Sequence, residues 1–398
     1  MDWKTLYCPN HSCRGYGIPF SQGYLVKNGT SRGQPRAWCK ACEASVVLSY
    51  GTAYDGLEAD AAIFETAVRA LAEGNALRAT ARIVQVDKDT VCAWLHQVAC
   101  HCRTVMLSFW RDLHVSECQL DALRSFVHTK EAHLPGAKIY GDTSGGAWVW
   151  IAFAPVWRLV LAFVIGKRDQ AGADVLLARV AHVTDDFMPL FTSDQLPAYR
   201  HALLNTYGEW YQPPRRGSRG AYPKPRRRPP PSLQYAQVVK RRESGRMVAV
   251  STRIVFGTPE AVAASVAHSP VSWTVNTSFV ERDNLTQRQS SRRLTRRTNG
   301  FSKDLTWFEK QRWLSLAYYH FVLPHKSLRA RLPTPEPTRG AGSRRMWRPV
   351  TPAMAAGLTD HVWTTDELLA YRVPVEFLDQ LHTIEHLFPE WKVVHHSN

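Results

Sequence analysis

Between Asp60 and Leu71, apolar residues recur at Ile63, Phe64, Ala67, Val68 and Leu71, the spacing of one buried stripe on a helix. A short helix over 77–84, a tight turn at 85–87 and a second helix from about Lys88 to His101 follow, so 57–104 reads as an all-α helix-turn-helix module. In that layout Ala81 is small where two helices cross, Val86 plugs the turn, and Val91, Trp94 and Leu95 face the core. Thr80, Lys88, Asp89 and Thr90 are expected at the exposed end, where the start of the second helix would enter a DNA major groove. From Val115 the texture changes to short apolar runs at 117–127, 146–154 and 157–165, punctuated by Gly and Pro. An amphipathic helix over 170–183, an apolar run over 187–193 ending in Asp194, and a helix over 195–205 complete the pattern of an α/β core.

Further on the pattern is less regular. Residues 210–231 are rich in Pro, Arg and Gly and are expected to be extended or disordered. Segments 234–239 and 246–256 alternate around Glu243-Ser244-Gly245, which predicts a β-hairpin. Together 205–275 read as a basic insertion in a core that spans 113–330. A helix after Glu281 carries Asn284, Arg288 and Arg292 near one face, with Arg288 two turns beyond Glu281. Residues 307–323 read as a packing helix and 324–352 as a basic, Pro-rich surface linker. The segment 331–398 is then that linker's end plus a small helical element.

Charge sharpens this picture. The 398-residue chain carries a net charge of +16, and it is concentrated: 205–255 holds 12 Lys/Arg against 2 acids, and 282–348 holds 16 against 4. Such fields suit contact with a phosphate backbone, giving salt-sensitive, sequence-independent affinity. The helical module has 4 Lys/Arg and 6 acids over 57–102, so no strong field draws it to DNA. No run of about 18 apolar residues occurs and the start, Met1-Asp2-Trp3-Lys4, lacks a signal-peptide core, so a cytoplasmic, nucleoid-associated protein is expected.

Cysteines are paired by spacing. Cys8 and Cys13 are C-x4-C, and Cys39 and Cys42 are C-x2-C, two knuckles able to present four thiolates to one structural zinc ion. Residues 1–52 therefore read as a zinc ribbon with almost no apolar core, folded by the metal. His11, inside the first knuckle, is an alternative ligand to Cys13. Cys92, Cys100, His101 and Cys102 fall on a helix and are read as structural.

Three acids set far apart carry the candidate chemistry. Asp121 and Asp194 lie in or at the end of strand-like runs, and Glu281 opens a polar helical run, so one fold could gather them around two divalent cations, the general device for in-line attack on a phosphodiester. An Asp after a strand is also a common turn former or helix cap, the role expected of Asp142, Asp185 and Asp186.

The segments 119–127 (QLDALRSFV), 193–203 (SDQLPAYRHAL) and 279–302 (FVERDNLTQRQSSRRLTRRTNGFS), with Ala79-Thr80-Ala81-Arg82-Ile83 in the helical module, resemble the insertion-sequence-one family of transposases, of the DDE class. The resemblance implies a multidomain protein: a zinc ribbon, a helix-turn-helix and a ribonuclease H-like α/β core. It also implies two Mg2+ ions on Asp121, Asp194 and Glu281, and a basic residue at Arg288 that touches terminal DNA. The chain departs from the family at Ala122 and Arg124, where Glu and Trp are usual, and at Asp283, where His is usual; Glu117 is a possible substitute for the missing carboxylate. The gap between Asp194 and Glu281 is also much longer than in the best-known members. Double-stranded DNA at element ends and target is the expected partner, with Thr80, Lys88, Thr90, Asn284, Arg288, Arg292, Arg226, Arg227 and Arg228 as contacts and a homo-oligomer in the DNA complex. A non-catalytic DNA-binding repressor and a metal-dependent, structure-specific nuclease are the alternatives.

Overall fold

The computed structural model describes every residue except Arg32, 131–144, Arg216, 218–220, Gly245, 296–297, Arg339, Ala341 and 390–398; Asp142 thus lies outside the described residues. The chain forms two compact units, one made of Met1–Phe109 with the segment from Thr306 onward, the other of Trp110–Leu305. Among the described residues, no helix is long and apolar enough to cross a membrane.

The first unit opens with an antiparallel sheet of β1 (Leu25–Ser31), β2 (Gln34–Cys39) and β3 (Ser45–Val47). Leu6, Leu25, Ala37, Val46 and Leu48 bury one another there, with Trp3 and Phe20 alongside, so this segment has a small apolar core after all. Helix α1 (Ala61–Ala72) begins where Asp60 accepts the amides of Ala62 and Ile63, and it buries Phe64, Ala67, Val68 and Leu71. Ile63, expected in that stripe, is exposed. Helix α2 (Leu77–Val84) ends at Gln85, which takes the left-handed conformation, and α3 (Lys88–Phe109) runs about two turns beyond its expected end because Val98, Cys102, Val105 and Met106 prolong its buried stripe. Thr80 is wholly buried, contrary to expectation: its place on α2 faces inward beside Ala81. Lys88 is exposed and Thr90 half-buried.

Residues after Thr306 belong to this unit, so the boundary expected at 330 falls inside it. Helix Leu305–Ala317 continues into a π-turn, Tyr318–Val322. The expected linker contains two strands, Ala330–Glu336 and Arg345–Arg348, paired antiparallel. Short helices at Pro352–Ala355, Thr365–Ala370 and Val375–Leu378 follow. They brace the N-terminal sheet. Arg372 is buried and donates to the carbonyls of Leu48 at 2.7 Å, Tyr50 at 2.8 Å and Asp2 at 3.3 Å, and also to Thr5 Oγ1. Arg372→Met removes donors that several carbonyls rely on and should destabilise the first unit by roughly 3 kcal/mol. A denaturation midpoint unchanged from wild type would rule out this bracing role.

The second unit is built on a six-stranded mixed sheet ordered β11-β10-β7-β4-β5-β6. Strands β4 (Glu117–Val127), β5 (Gly145–Ala154) and β6 (Leu159–Gly166) are antiparallel neighbours; α4 (Gln170–Val183) then leads to β7 (Leu190–Ser193), which lies parallel to β4. After α5 (Pro197–Tyr207), β8 (Glu209–Tyr211) pairs with β9 (Arg226–Arg228), so part of the Pro/Arg-rich stretch is an ordered ribbon. Strand β10 (Gln234–Glu243) is the main correction. It runs parallel to β7 inside the central sheet and turns back as β11 (Arg246–Phe256), so the expected hairpin continues the core sheet and is no insertion beside it. Leu233, Tyr235, Ala236 and Val238 are buried there, as in a strand covered on both faces. Helices α6 (Pro259–Ala267) and α7 (Ser278–Gln289) follow.

Candidate functional site

In the first unit the sulfurs of Cys8, Cys13, Cys39 and Cys42 lie within 4.8 Å of one another, and this is the one such cluster of three or more His, Cys, Asp or Glu ligand atoms among the described residues. Cys8 and Cys42 are 3.5 Å apart and Cys13 and Cys39 3.7 Å, close to the S···S edge of about 3.8 Å that tetrahedral zinc with 2.3 Å bonds requires. The turn geometry readies them. Gly15 N–H donates to Cys13 Sγ at 3.2 Å, and the Ala44 N–H bond lowers the Cys42 thiol to about 7, while burial pushes Cys8 up. Four thiols in this arrangement fit a closed structural zinc site. His11 stacks on Tyr16 and stands outside the set, and His101 Nε2 lies 2.9 Å from the Leu368 carbonyl, consistent with a structural part.

In the second unit the parallel pairing of β4 with β7 sets Leu120 opposite Ser193, so Asp121, within β4, lies beside Asp194, which follows the last residue of β7. Helix α7 is pinned over them by Gln119, whose amide donates to the Asn276 carbonyl at 3.0 Å and accepts from Val280 N–H at 3.0 Å. This delivers Glu281 and Asn284 to the same place. Asn284 Nδ2 donates to Asp121 Oδ2 at 2.5 Å, and Ala122 N–H donates to Oδ1 at 2.8 Å. Burial pushes the Asp121 carboxyl above its ordinary range; those two donors oppose the rise, and the charges of Asp194 and Glu281 add to it.

Among the described residues the three carboxylates sense one another but do not cluster as the thiols do, and each outer one has a cation beside it. Lys240 on β10 pairs with Glu281, which also accepts from Thr277 Oγ1 at 2.8 Å. Arg168 lies 3.8 Å from Asp194. Sequence reasoning missed both cations. Lys240 follows Tyr235-Ala236-Gln237-Val238-Val239, a run legible as a strand, but nothing local in it names β7 as the parallel partner that brings Lys240 to Glu281. Asn284 Oδ1 and the Tyr199 hydroxyl are buried with no hydrogen-bond partner among the described residues, and Tyr199 feels the charges of Asp121 and Asp194. The three acids and the orphaned amide oxygen are all hard oxygen donors, the kind Mg2+ takes, but among the described residues the carboxylates do not form a closed ligand cluster. Glu117 stands opposite Leu190, three pairs before Ser193; burial raises its carboxyl and a hydrogen bond with Ser269 opposes the rise.

The expected DNA contacts are scattered. Asn284 is buried behind Asp121, which corrects its assignment as a DNA contact; Arg288 is half-buried; and Arg292 lies beyond the end of α7, in the turn Arg292–Leu294. In the β8–β9 ribbon Arg226 and Arg228 are exposed, whereas Arg227 covers Trp210 and donates to the Leu204 and Asn205 carbonyls, so it is a packing residue.

Because the folded state holds the Asp121 proton more tightly than the unfolded chain does, ionising this group costs stability. Its favourable contribution is full below the ordinary Asp range and is lost as pH rises through the raised value. Without divalent cations, Asp121→Asn should therefore raise the melting temperature at neutral pH, and the gain should vanish in acid. A variant no more stable than wild type at neutral pH would contradict this.

Fold and site define a multidomain, mixed α/β protein with a six-stranded mixed sheet and a largely buried four-cysteine cluster. No protein-family model and no curated protein matches the chain. Among solved structures it is similar to a Mos1 transposase paired-end complex with left transposon end, at 12% identity and a TM-score of 0.16, over 35% of this chain and 55% of that one. The likeness thus spans about half of that transposase, and the functional reading rests on this chain's own residues.

Proposed function

We propose that this chain is a DDE-class transposase that cuts DNA at the ends of a mobile element and joins it to a target. The observation that carries the reading is the register that sets Asp121 beside Asp194 on adjacent parallel strands, with Asn284 of α7 bonded to Asp121 and the charge of Glu281, one turn earlier on α7, felt there. Three antiparallel strands followed by two parallel ones on the far side of β4 support a ribonuclease H-like core. The four-cysteine cluster and the helices α1–α3 support a zinc ribbon followed by a helix-turn-helix. Lys88 and Thr90, at the open start of α3, remain the candidates there for reading base edges.

Asp121, Asp194 and Glu281 would hold two Mg2+ ions, which when bound stabilise the entering and leaving oxygens of an in-line displacement. Asn284 orients Asp121 through its amide. Lys240 and Arg168 balance the charge of the outer carboxylates Glu281 and Asp194. With water as nucleophile the displacement breaks a phosphodiester into a 3′-hydroxyl and a 5′-phosphate; with that 3′-hydroxyl as nucleophile a new phosphodiester forms at a target phosphorus while the target's own P–O3′ bond breaks and its 3′-hydroxyl leaves.

The test is incubation of the full chain with Mg2+ and the DNA that flanks its coding region. Cut ends bearing 3′-hydroxyls and joined products are expected. Cutting without joining would point to a nuclease, and binding without cutting to a repressor.

A further inference from the structure

The β10–β11 hairpin leaves the sheet at the acidic site. Strand β10 pairs with β7 only over Gln234–Gln237, ending opposite Ser193, the residue before Asp194. Beyond that, among the described residues, β10 and β11 pair only with each other, from Val238 opposite Thr252 to Glu243 opposite Arg246. From Val239 this free ribbon extends roughly 14 Å. Its base touches the site, since Lys240 pairs with Glu281.

Cross-strand partners share a face. Lys240 stands opposite Val250, and Arg242 opposite Met247, so one face presents two cations beside two apolar side chains. Val250 and Met247 are 55% and 58% exposed, too open for a core role, and Val248 at the bulge is 51% exposed. Residues 239–251 hold Lys240, Arg241, Arg242 and Arg246 against one acid, Glu243, whose carboxylate accepts from Arg241 at 2.7 Å.

We infer that this ribbon is a DNA-holding arm: it lies in a groove of the duplex whose strand is held at Asp121, Asp194 and Glu281. Arg242 meets a phosphate near the reacting one, and Met247 and Val250 lie against sugars and base edges. A two-stranded ribbon fits a major groove about 12 Å wide, and apolar side chains on an arm are suited to wedge against bases. Charge selects DNA over a second copy of the chain. Two such arms set edge to edge would bring like cations together, whereas phosphates complement them. The inference rests on the reading of the three carboxylates as the place where DNA is held.

The experiment uses the full chain and a mixed-sequence DNA duplex. With p-benzoylphenylalanine at position 247, irradiation should cross-link protein to DNA. Arg242→Gln should bind several-fold more weakly and lower the slope of log K against log salt by about 0.9, the loss of one phosphate contact. Both sites are exposed, so melting temperatures should match wild type. No cross-link with an unchanged slope overturns the arm, and a cross-link to a second protein chain overturns it in favour of self-association. Cleavage by the wild type is scored separately: its absence counts against the transposase reading alone, and its presence without the cross-link counts against the arm alone.

Discussion

Asp121→Asn, Asp194→Asn and Glu281→Gln should each lower DNA cleavage by roughly a thousandfold or more while leaving DNA affinity within a few-fold of wild type. Each change removes one negative charge with almost no change in shape. The sheet pairing that positions Asp121 beside Asp194 uses backbone groups the substitutions leave alone. Asn284→Ala should cost less, roughly 10- to 100-fold, because it removes only the donor that orients Asp121. The ranking separates a reacting site from a structural acidic patch, in which all four changes would alter stability and not rate. Near-normal cleavage with Mg2+ by any of the first three variants would exclude that residue from the site.

How far the sequence announced this arrangement depends on the range of the interactions involved. Helix α2 falls on 77–84 as expected because it is set by local signals, an apolar period and a polar turn. The same holds for α4 over 170–183, which Asp169 caps through Gly172 N–H. Strand β10 was legible as a strand but not as a neighbour of β7, since alternation says nothing about which distant strand supplies the parallel partner. That one pairing decides much of the site. It brings Lys240 to Glu281 and turns an apparent insertion into the sheet's far side. Thr80 and Asn284 misled for a different reason: polar side chains on an amphipathic helix are expected to face water, yet tertiary packing buries both, Asn284 against a carboxylate. The four cysteines were legible because each knuckle's spacing, C-x4-C and C-x2-C, is a local signal, and the fold brings the two pairs together.

Removing the metal should undo the N-terminal ribbon. Its buried apolar side chains beyond the thiols are few, with Leu6, Tyr7, Leu25, Val46 and Leu48 among them, and a domain of this size seldom folds on such a core alone. Structural zinc in small domains contributes on the order of 10–16 kcal/mol to folding near neutral pH, more than the bracing by Arg372 can replace. Purified protein should contain one zinc per chain. Cys39→Ser should lose it and expose residues 1–48 to protease, with the six-stranded sheet of the second unit still intact. Cys13→Ser should do the same and His11→Ala should not, because His11 stacks on Tyr16 outside the thiol set. A strong chelator should reproduce the Cys39 effect on the wild type, and restored zinc should reverse it. Protein that holds no zinc, or a Cys39→Ser chain whose N-terminal segment resists protease as well as wild type does, would show that the four thiols are simply buried side chains of the ribbon.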